Sequence, residues 1–410
     1  MKKTLPAVLL TTLLSLAICV PGIAGDSGAW AAAGSSSGTD GSIGAGAPAR
    51  SMILFIGDGM GVQITSIALL VAEKERGAPL NMTRLANQGA AGLVSTYSAD
   101  RLVTDSAASG TALATGVMTN NGVVGMAPDG GILQNLFEIA VWEGKAVGVV
   151  TTTSVTDATP ASFLAHVRSR EEHENIAAQI VEGSANVVLG GGRMFFQPPP
   201  EGKRSDGRDL VETARERGFQ VVFTAGELEV AARSESVGQG RLLGLFSRDV
   251  MPFELDRDKA QVPSVADMMS RAIDFLDDDP DGFVLVVEGG RIDHAEHENS
   301  IEDALADLFA FDEAIGRAMT YQEADSTMAI VVTADHECGG PAITGTSYSY
   351  PHYGALDKID EGDSEFLQWI SGHHTATMVP VFASGPGARR FTGVMHNTEL
   401  HARLAWLLGF

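Results

Sequence analysis

Two acid–imidazole pairs carry the first chemical signal in the chain. In Glu288-Gly-Gly-Arg-Ile-Asp293-His294-Ala-Glu-His297, Asp293 and His297 stand four positions apart. A helix would turn both to one face, where they can share a metal ion. Asp335-His336 offers the same pair straight after the apolar run 328–332. Carboxylate with imidazole suits zinc better than calcium, which prefers oxygen alone, or soft-metal sites, which prefer sulfur. Surface helices produce a lone Asp-x-x-x-His by chance, so the weight lies in two such pairs, each following an apolar run. A third piece, Gly57-Asp58-Gly59-Met60-Gly61, leaves a carboxylate uncrowded on a backbone free to turn sharply. Such a loop can also cradle phosphate or merely turn. The fourth piece, 103–111, sets Ser106 near the amino end of a predicted helix, where backbone N–H groups and the helix dipole favour phosphate. Without its context it reads as an ordinary helix cap.

These residues need a frame, and the hydrophobic pattern supplies one. Short apolar runs at 52–56, 147–150, 187–189, 283–287, 328–332 and 379–383 read as buried strands. Helical spacing of apolar residues occupies 62–75, 106–115, 133–142, 265–276, 301–319 and 398–408. The alternation predicts an α/β three-layer sandwich, a central mostly parallel sheet flanked by helices. Ligands of such sheets bind beyond the carboxyl ends of the strands, so the loops at 57–59, 288–290 and 333–336 are expected to meet. Residues 195–207, with Pro198-Pro199-Pro200, and 339–363 fit the alternation poorly and are expected as surface insertions on a single domain, 51–410. There is no internal repeat.

The chain opens with Met1-Lys2-Lys3 and an apolar run, 5–20, the charged start and short apolar centre of a secretory signal peptide. Cleavage after Ala24 and after Ala33 both remain open. A periplasmic or secreted location follows, with no membrane partner after cleavage. Lipid attachment at Cys19 is disfavoured by the bulk of Ile18 before it. Residues 25–50, rich in Gly, Ser and Ala, read as a flexible tether. Removal of Cys19 leaves Cys338 alone, so no internal disulfide is expected. The 410 residues, 44% hydrophobic, suffice for one large core. A formal charge of −24, from 52 acidic and 28 basic residues, argues against nucleic-acid binding. The acidity reads as a solvated surface or as adaptation to salt.

Taken together, 57–61 (Gly-Asp-Gly-Met-Gly), 104–109 (Thr-Asp-Ser-Ala-Ala-Ser), 157–162 (Asp-Ala-Thr-Pro-Ala-Ser), 288–294 (Glu-Gly-Gly-Arg-Ile-Asp-His) and 333–336 (Thr-Ala-Asp-His) resemble the signatures of the alkaline phosphatase family. The resemblance runs in order from about residue 52 to residue 386 and is thinner over 195–251. It implies that Ser106 is the nucleophile. It further implies that Asp293, His297 and His374 hold one zinc, that Asp58, Asp335 and His336 hold a second beside Ser106, and that Asp58, Thr159 and Glu288 hold magnesium. His374 matches the family's histidine-threonine before an apolar strand, with the adjacent His373 as the fallback. Arg170 corresponds to the arginine that forks onto phosphate, ahead of Arg168 by register, and Asp105 to the aspartate that orients it. Asp157 and His294 stand where relatives vary, which leaves the third site's metal open. Relatives are commonly homodimers.

Electrostatics gives that ligand set a reason. Carboxylates about 4 Å apart repel by roughly 4 kcal/mol per pair at an effective dielectric near 20, so Asp58, Glu288, Asp293 and Asp335 need cations to converge. Two zinc ions, one magnesium ion and Arg170 against those four charges leave about +3 to meet a doubly charged phosphate. The implied reaction is hydrolysis of small phosphate monoesters through a phosphoserine, by two in-line displacements that retain configuration at phosphorus. A phosphodiesterase or another phosphoryl-transfer enzyme of the same superfamily would differ only around the leaving group. A carboxylester hydrolase would need a Gly-x-Ser-x-Gly elbow, which 103–111 lacks. A secreted metal-binding protein without turnover would leave Ser106 and Arg170 unexplained.

Overall fold

The computed structural model describes residues 48–231, 240–345 and 365–410, with the single positions 349, 351, 355, 356 and 358. The segment read as a signal peptide, nearly all of the tether and most of 339–363 lie outside the described residues.

Among the described residues fourteen strands follow one another: β1 (Ser51–Gly57), β2 (Ala90–Ser95), β3 (Ala146–Ser154), β4 (Val187–Gly191), β5 (Phe219–Val222), β6 (Arg241–Leu245), β7 (Phe283–Gly289), β8 (Met328–Thr333), β9 (Glu337–Cys338), β10 (Ala342–Ile343), β11 (Leu367–Gln368), β12 (His374–Thr375), β13 (Val379–Ser384) and β14 (Gly393–His396). Ten of them form one sheet in the order β14-β2-β13-β8-β1-β7-β3-β4-β6-β5. Only β13 runs against its neighbours. The remaining four make two short ribbons, β10 with β11 and β9 with β12.

The central strands are apolar on both faces because both faces are covered. Every residue of β1, β7 and β8 is buried. The helices Val62–Arg76, Asn81–Gln88, Val265–Leu276 and Ile301–Ala324 pack together as one group, and Ser106–Thr115, Leu136–Trp142 and Asn397–Leu408 as another. Phe55 of β1 meets Phe311 of the long helix edge to face, ring centres 5.6 Å apart.

The register explains where chemistry can assemble. β8, β1, β7 and β3 are neighbours and parallel, with Ile56 opposite both Thr333 and Glu288, and Glu288 opposite Thr151. Their carboxyl ends therefore release Asp335-His336, Asp58, the helix Arg291–His297 and the Asp157–Thr159 turn at one edge of the sheet.

All six apolar runs are strands, and within the large sheet β2, β5, β6 and β14 stand outside them, as do the two-residue strands of the ribbons. β5 and β14 have four residues each, and Gly92 interrupts β2, where a Cβ would sit 2.5 Å from the Phe391 carbonyl oxygen. The helix read as 133–142 starts at Leu136, because Ile132 bridges to Met126 and Asn135 caps the helix in a reciprocal pair with Glu138. Within 195–207, Phe196 and Arg204 are buried, and Arg204 donates to the carbonyls of Glu174 and Phe195.

Candidate active site

Ser106 opens the helix Ser106–Thr115, and Asp105 caps it by accepting from the Ala108 N–H at 3.0 Å. The Ser106 hydroxyl lies 3.1 Å from His336 Nε2. The same nitrogen is 3.2 Å from Asp335 Oδ2 and 3.5 Å from Asp58 Oδ1. One point is thus ringed by a serine, two aspartates and a histidine from three separate loops, all buried. Two glycines permit the convergence. Gly59 has φ +73, and a Cβ there would strike Glu296 and the Asp293 backbone; its N–H donates to Asp335 Oδ1 at 3.3 Å. A Cβ on Gly110 would sit 2.8 Å from Ser162 Oγ, so glycine lets the Thr159 turn approach the Ser106 helix.

A second cluster adjoins the first. Asp293 and His297 share a face of the helix Arg291–His297, Oδ2 to Nε2 at 3.3 Å, and His374 Nε2 lies 3.5 Å from Asp293 Oδ1. His297 Nδ1 meets the Gly372 carbonyl at 2.8 Å and His374 Nδ1 meets the Thr104 carbonyl at 2.9 Å, so each Nδ1 is the donor and each Nε2 faces inward. The two Nε2 atoms are 3.1 Å apart. Two lone pairs that close are favourable only with a proton or a cation between them. The His336 and His374 rings stack at 3.5 Å and join the clusters.

Glu288 is the hub of a third group. Its Oε2 accepts from the hydroxyls of Thr151 and Thr153, while Oε1 and the Thr159 hydroxyl, both buried, have no partner. Arg170 donates to Asp157 at 2.9 Å and to Asp105 at 3.4 Å, and Asp105 also accepts from the Gly122 N–H. His294 bonds to Arg291 and feels the charge of Asp157. The His373 backbone bonds the Ser371 hydroxyl, and its ring stands edge to face with His297, ring centres 6.3 Å apart, outside the group of donor atoms.

The electrostatics of the bare chain record the cost of this arrangement. Burial, then the charges of Asp335, Asp293 and Glu288, push Asp58 well above the usual carboxylate range. Burial lifts Glu288 to about 8 and, with Asp293, Asp335 to about 6. Burial lowers His336 and His374 to about 4, the latter helped by His336. The hydrogen bond that His297 donates to Asp293 raises His297 to about 9. Burial would raise Asp293, but the His297 bond and the neighbouring imidazoles hold it well below its ordinary value. Asp58 Oδ1, Asp293 Oδ1, Asp335 Oδ2 and Glu288 Oε1 are buried oxygens without a hydrogen-bond partner. Orphaned carboxylate oxygens beside inward-facing imidazole nitrogens fit divalent cations.

Sequence reading missed several neighbours. Cys338 lies in the second cluster, its sulfur and one donor atom each of Asp293, His297 and His374 all within 4.8 Å of one another. Its signal was its place two residues past His336. Glu296 is fully buried with neither carboxyl oxygen bonded. Thr151 and Thr153, which hold Glu288, and the carbonyls of Thr104 and Gly372 had no local signature.

A serine at a helix start, ringed by metal-type donors at the carboxyl edge of a parallel sheet, defines a metal-dependent phosphoryl-transfer enzyme. The alkaline phosphatase family model matches residues 49–363, and the chain belongs to that family. It is 31% identical to alkaline phosphatase 3 of Bacillus subtilis, over 86% of this chain and 87% of that one. It is 35% identical to the repressible alkaline phosphatase of Saccharomyces cerevisiae over 74% of this chain, spanning 58% of the yeast protein's length. The alkaline phosphatase of Thermus thermophilus superposes with a TM-score of 0.79 at 31% identity, over 89% of this chain and 92% of that one. The enzyme class is accordingly that of a phosphomonoesterase. Among the described residues no helix is long and apolar enough to cross a membrane.

Proposed function

We propose that the protein hydrolyses phosphate monoesters of broad specificity through a phosphoserine at Ser106, with two zinc ions and one magnesium ion as cofactors. The observation that carries this reading is the Ser106 hydroxyl at 3.1 Å from His336 Nε2, inside a nest of buried donor atoms without partners. Asp293, His297 and His374 would hold the first zinc, Asp58, Asp335 and His336 the second, and Asp58, Thr159 and Glu288 the magnesium, flanked by Asp157 and His294. Bound there, the cations supply Lewis acidity that eases loss of the serine proton and neutralises phosphate charge.

The chain's own groups do the positioning. Ser106 sits at a helix amino end, where the dipole favours the phosphate dianion. Arg170 is held by Asp105 on one nitrogen and Asp157 on the other, so its fork is fixed before phosphate arrives. Ser106 attacks in line and the alcohol leaves. Water then attacks the phosphoserine in a second inversion, and configuration at phosphorus is retained. Phosphate monoesters need no partner protein for this chemistry. The reading is completed by a catalytic domain at 51–410, a homodimer, and export to the periplasm or beyond by a signal peptide at 1–24 or 1–33.

Metal analysis coupled to turnover of p-nitrophenyl phosphate and of a matching diester tests the proposal. About two zinc ions and one magnesium ion per chain with a monoester preference are expected. Preferred diester turnover would make it a phosphodiesterase, and full metal without turnover would make it a binding protein.

A further inference from the structure

Cys338 is fully buried at the end of β9, in a ribbon whose register sets it directly opposite His374 of β12. Its N–H donates to the Gly59 carbonyl at 3.1 Å, which ties it to the Asp58 loop as well. Backbone pairing on both sides therefore holds its sulfur in the pocket that contains Asp293, His297 and His374, within the 4.8 Å that encloses one donor atom from each. Two features of the pocket fit a cation there. Asp293 is 5% exposed, yet its Oδ1 has no hydrogen-bond partner. The inward Nε2 atoms of His297 and His374 face each other with both Nδ1 positions committed to carbonyls. In a tetrahedral zinc site the donors stand about 3.3–3.8 Å apart, given bonds of about 2.0–2.3 Å, so the four groups need close only by about 1 Å to surround one ion.

We propose that Cys338 is a fourth protein donor to the cation held by Asp293, His297 and His374. The proposal rests on the metal centre described under the proposed function and adds a sulfur ligand to it. On binding, the Cys338 S–H bond breaks, a metal–sulfur bond forms, and the proton leaves to solvent. A sulfur donor biases this site toward zinc or cobalt and away from magnesium, because soft ligands favour those ions.

The test uses the full chain carrying Cys19→Ser, so that Cys338 is its sole thiol, stripped of metal and reloaded with cobalt(II). A sulfur-to-cobalt charge-transfer band in the near ultraviolet is expected, growing in step with the visible cobalt bands. Cys338→Ser and Cys338→Ala should lack the ultraviolet band, keep the visible ones, and bind zinc at this site about 10-fold or more weakly. Visible cobalt bands and ester turnover without the ultraviolet band in the Cys338 chain would overturn the proposal while leaving the phosphatase reading intact. A chain that takes up no cobalt and turns over no ester would overturn both. Should the Cys338 variants fail to fold, the spectrum of the Cys338 chain still decides.

Discussion

The cluster around Ser106 and the cluster around Asp293 use the same ligand chemistry in different surroundings. Asp335 and His336 have no exposed side-chain surface, whereas His297 leaves 36% of its side chain exposed. The inner cluster's donors hang from strand ends packed in the sheet, while both outer imidazoles are aimed by carbonyls of surrounding loops at Thr104 and Gly372. Burial thus makes the inner cluster rigid and costly to leave without charge compensation, and exposure at His297 opens the outer one to solvent. On the proposed reading, the inner cluster would hold the nucleophile and the outer one would face the leaving group.

The sharpest way to separate the clusters is Ser106→Ala. Turnover should fall by at least about 10⁴-fold, while metal content stays at the native level, because Asp58, Asp335 and His336 remain. Metal loss in that variant would mean that the serine is structural. Next in size is staged chelation: followed by metal analysis, the outer cluster, open to solvent at His297, should release its ion first, and turnover should vanish with that first equivalent. Simultaneous release of all ions would erase the distinction between the clusters.

Arg170→Ala should weaken inhibition by inorganic phosphate about 10- to 100-fold, the worth of a charge-assisted hydrogen-bonding fork, with a smaller loss in kcat. Unchanged phosphate inhibition would remove Arg170 from the substrate site.

The smallest expected effect is a pH dependence of the metal-free chain. Glu288 stands at about 8 and His297 at about 9, each above its ordinary value of 4.5 or 6.5, so the native state binds protons that the unfolded state has released. That stability is present at low pH and is lost as pH rises through 8 and 9. His336 and His374, lowered to about 4, add no slope above about pH 6.5. The melting temperature of the metal-free chain should therefore drop by about 5 °C between pH 7 and pH 9. Added zinc should stabilise more as pH rises, because its ligands bind deprotonated. A flat metal-free profile would mean that the buried charges are already compensated.

Much of the fold was legible because fully buried parallel strands are continuous apolar runs, and those runs mark β1, β3, β4, β7, β8 and β13. The helix Ser106–Thr115 was legible from the helical spacing of its apolar residues. The edge strands β5 and β14 were not, since four residues such as Phe219–Val222 carry no period long enough to detect. Nor could local sequence connect Cys338 with His374, 36 positions apart and joined only by ribbon register.

The order of residues by itself determined which side chains carry chemistry and which segments bury themselves, because composition and period are local properties. Folding alone decided that Asp58, Ser106, Asp335 and His336 share one point, and that a cysteine stands among Asp293, His297 and His374. Strand order, register and glycine-permitted approaches set those distances, and each depends on contacts between segments far apart along the chain.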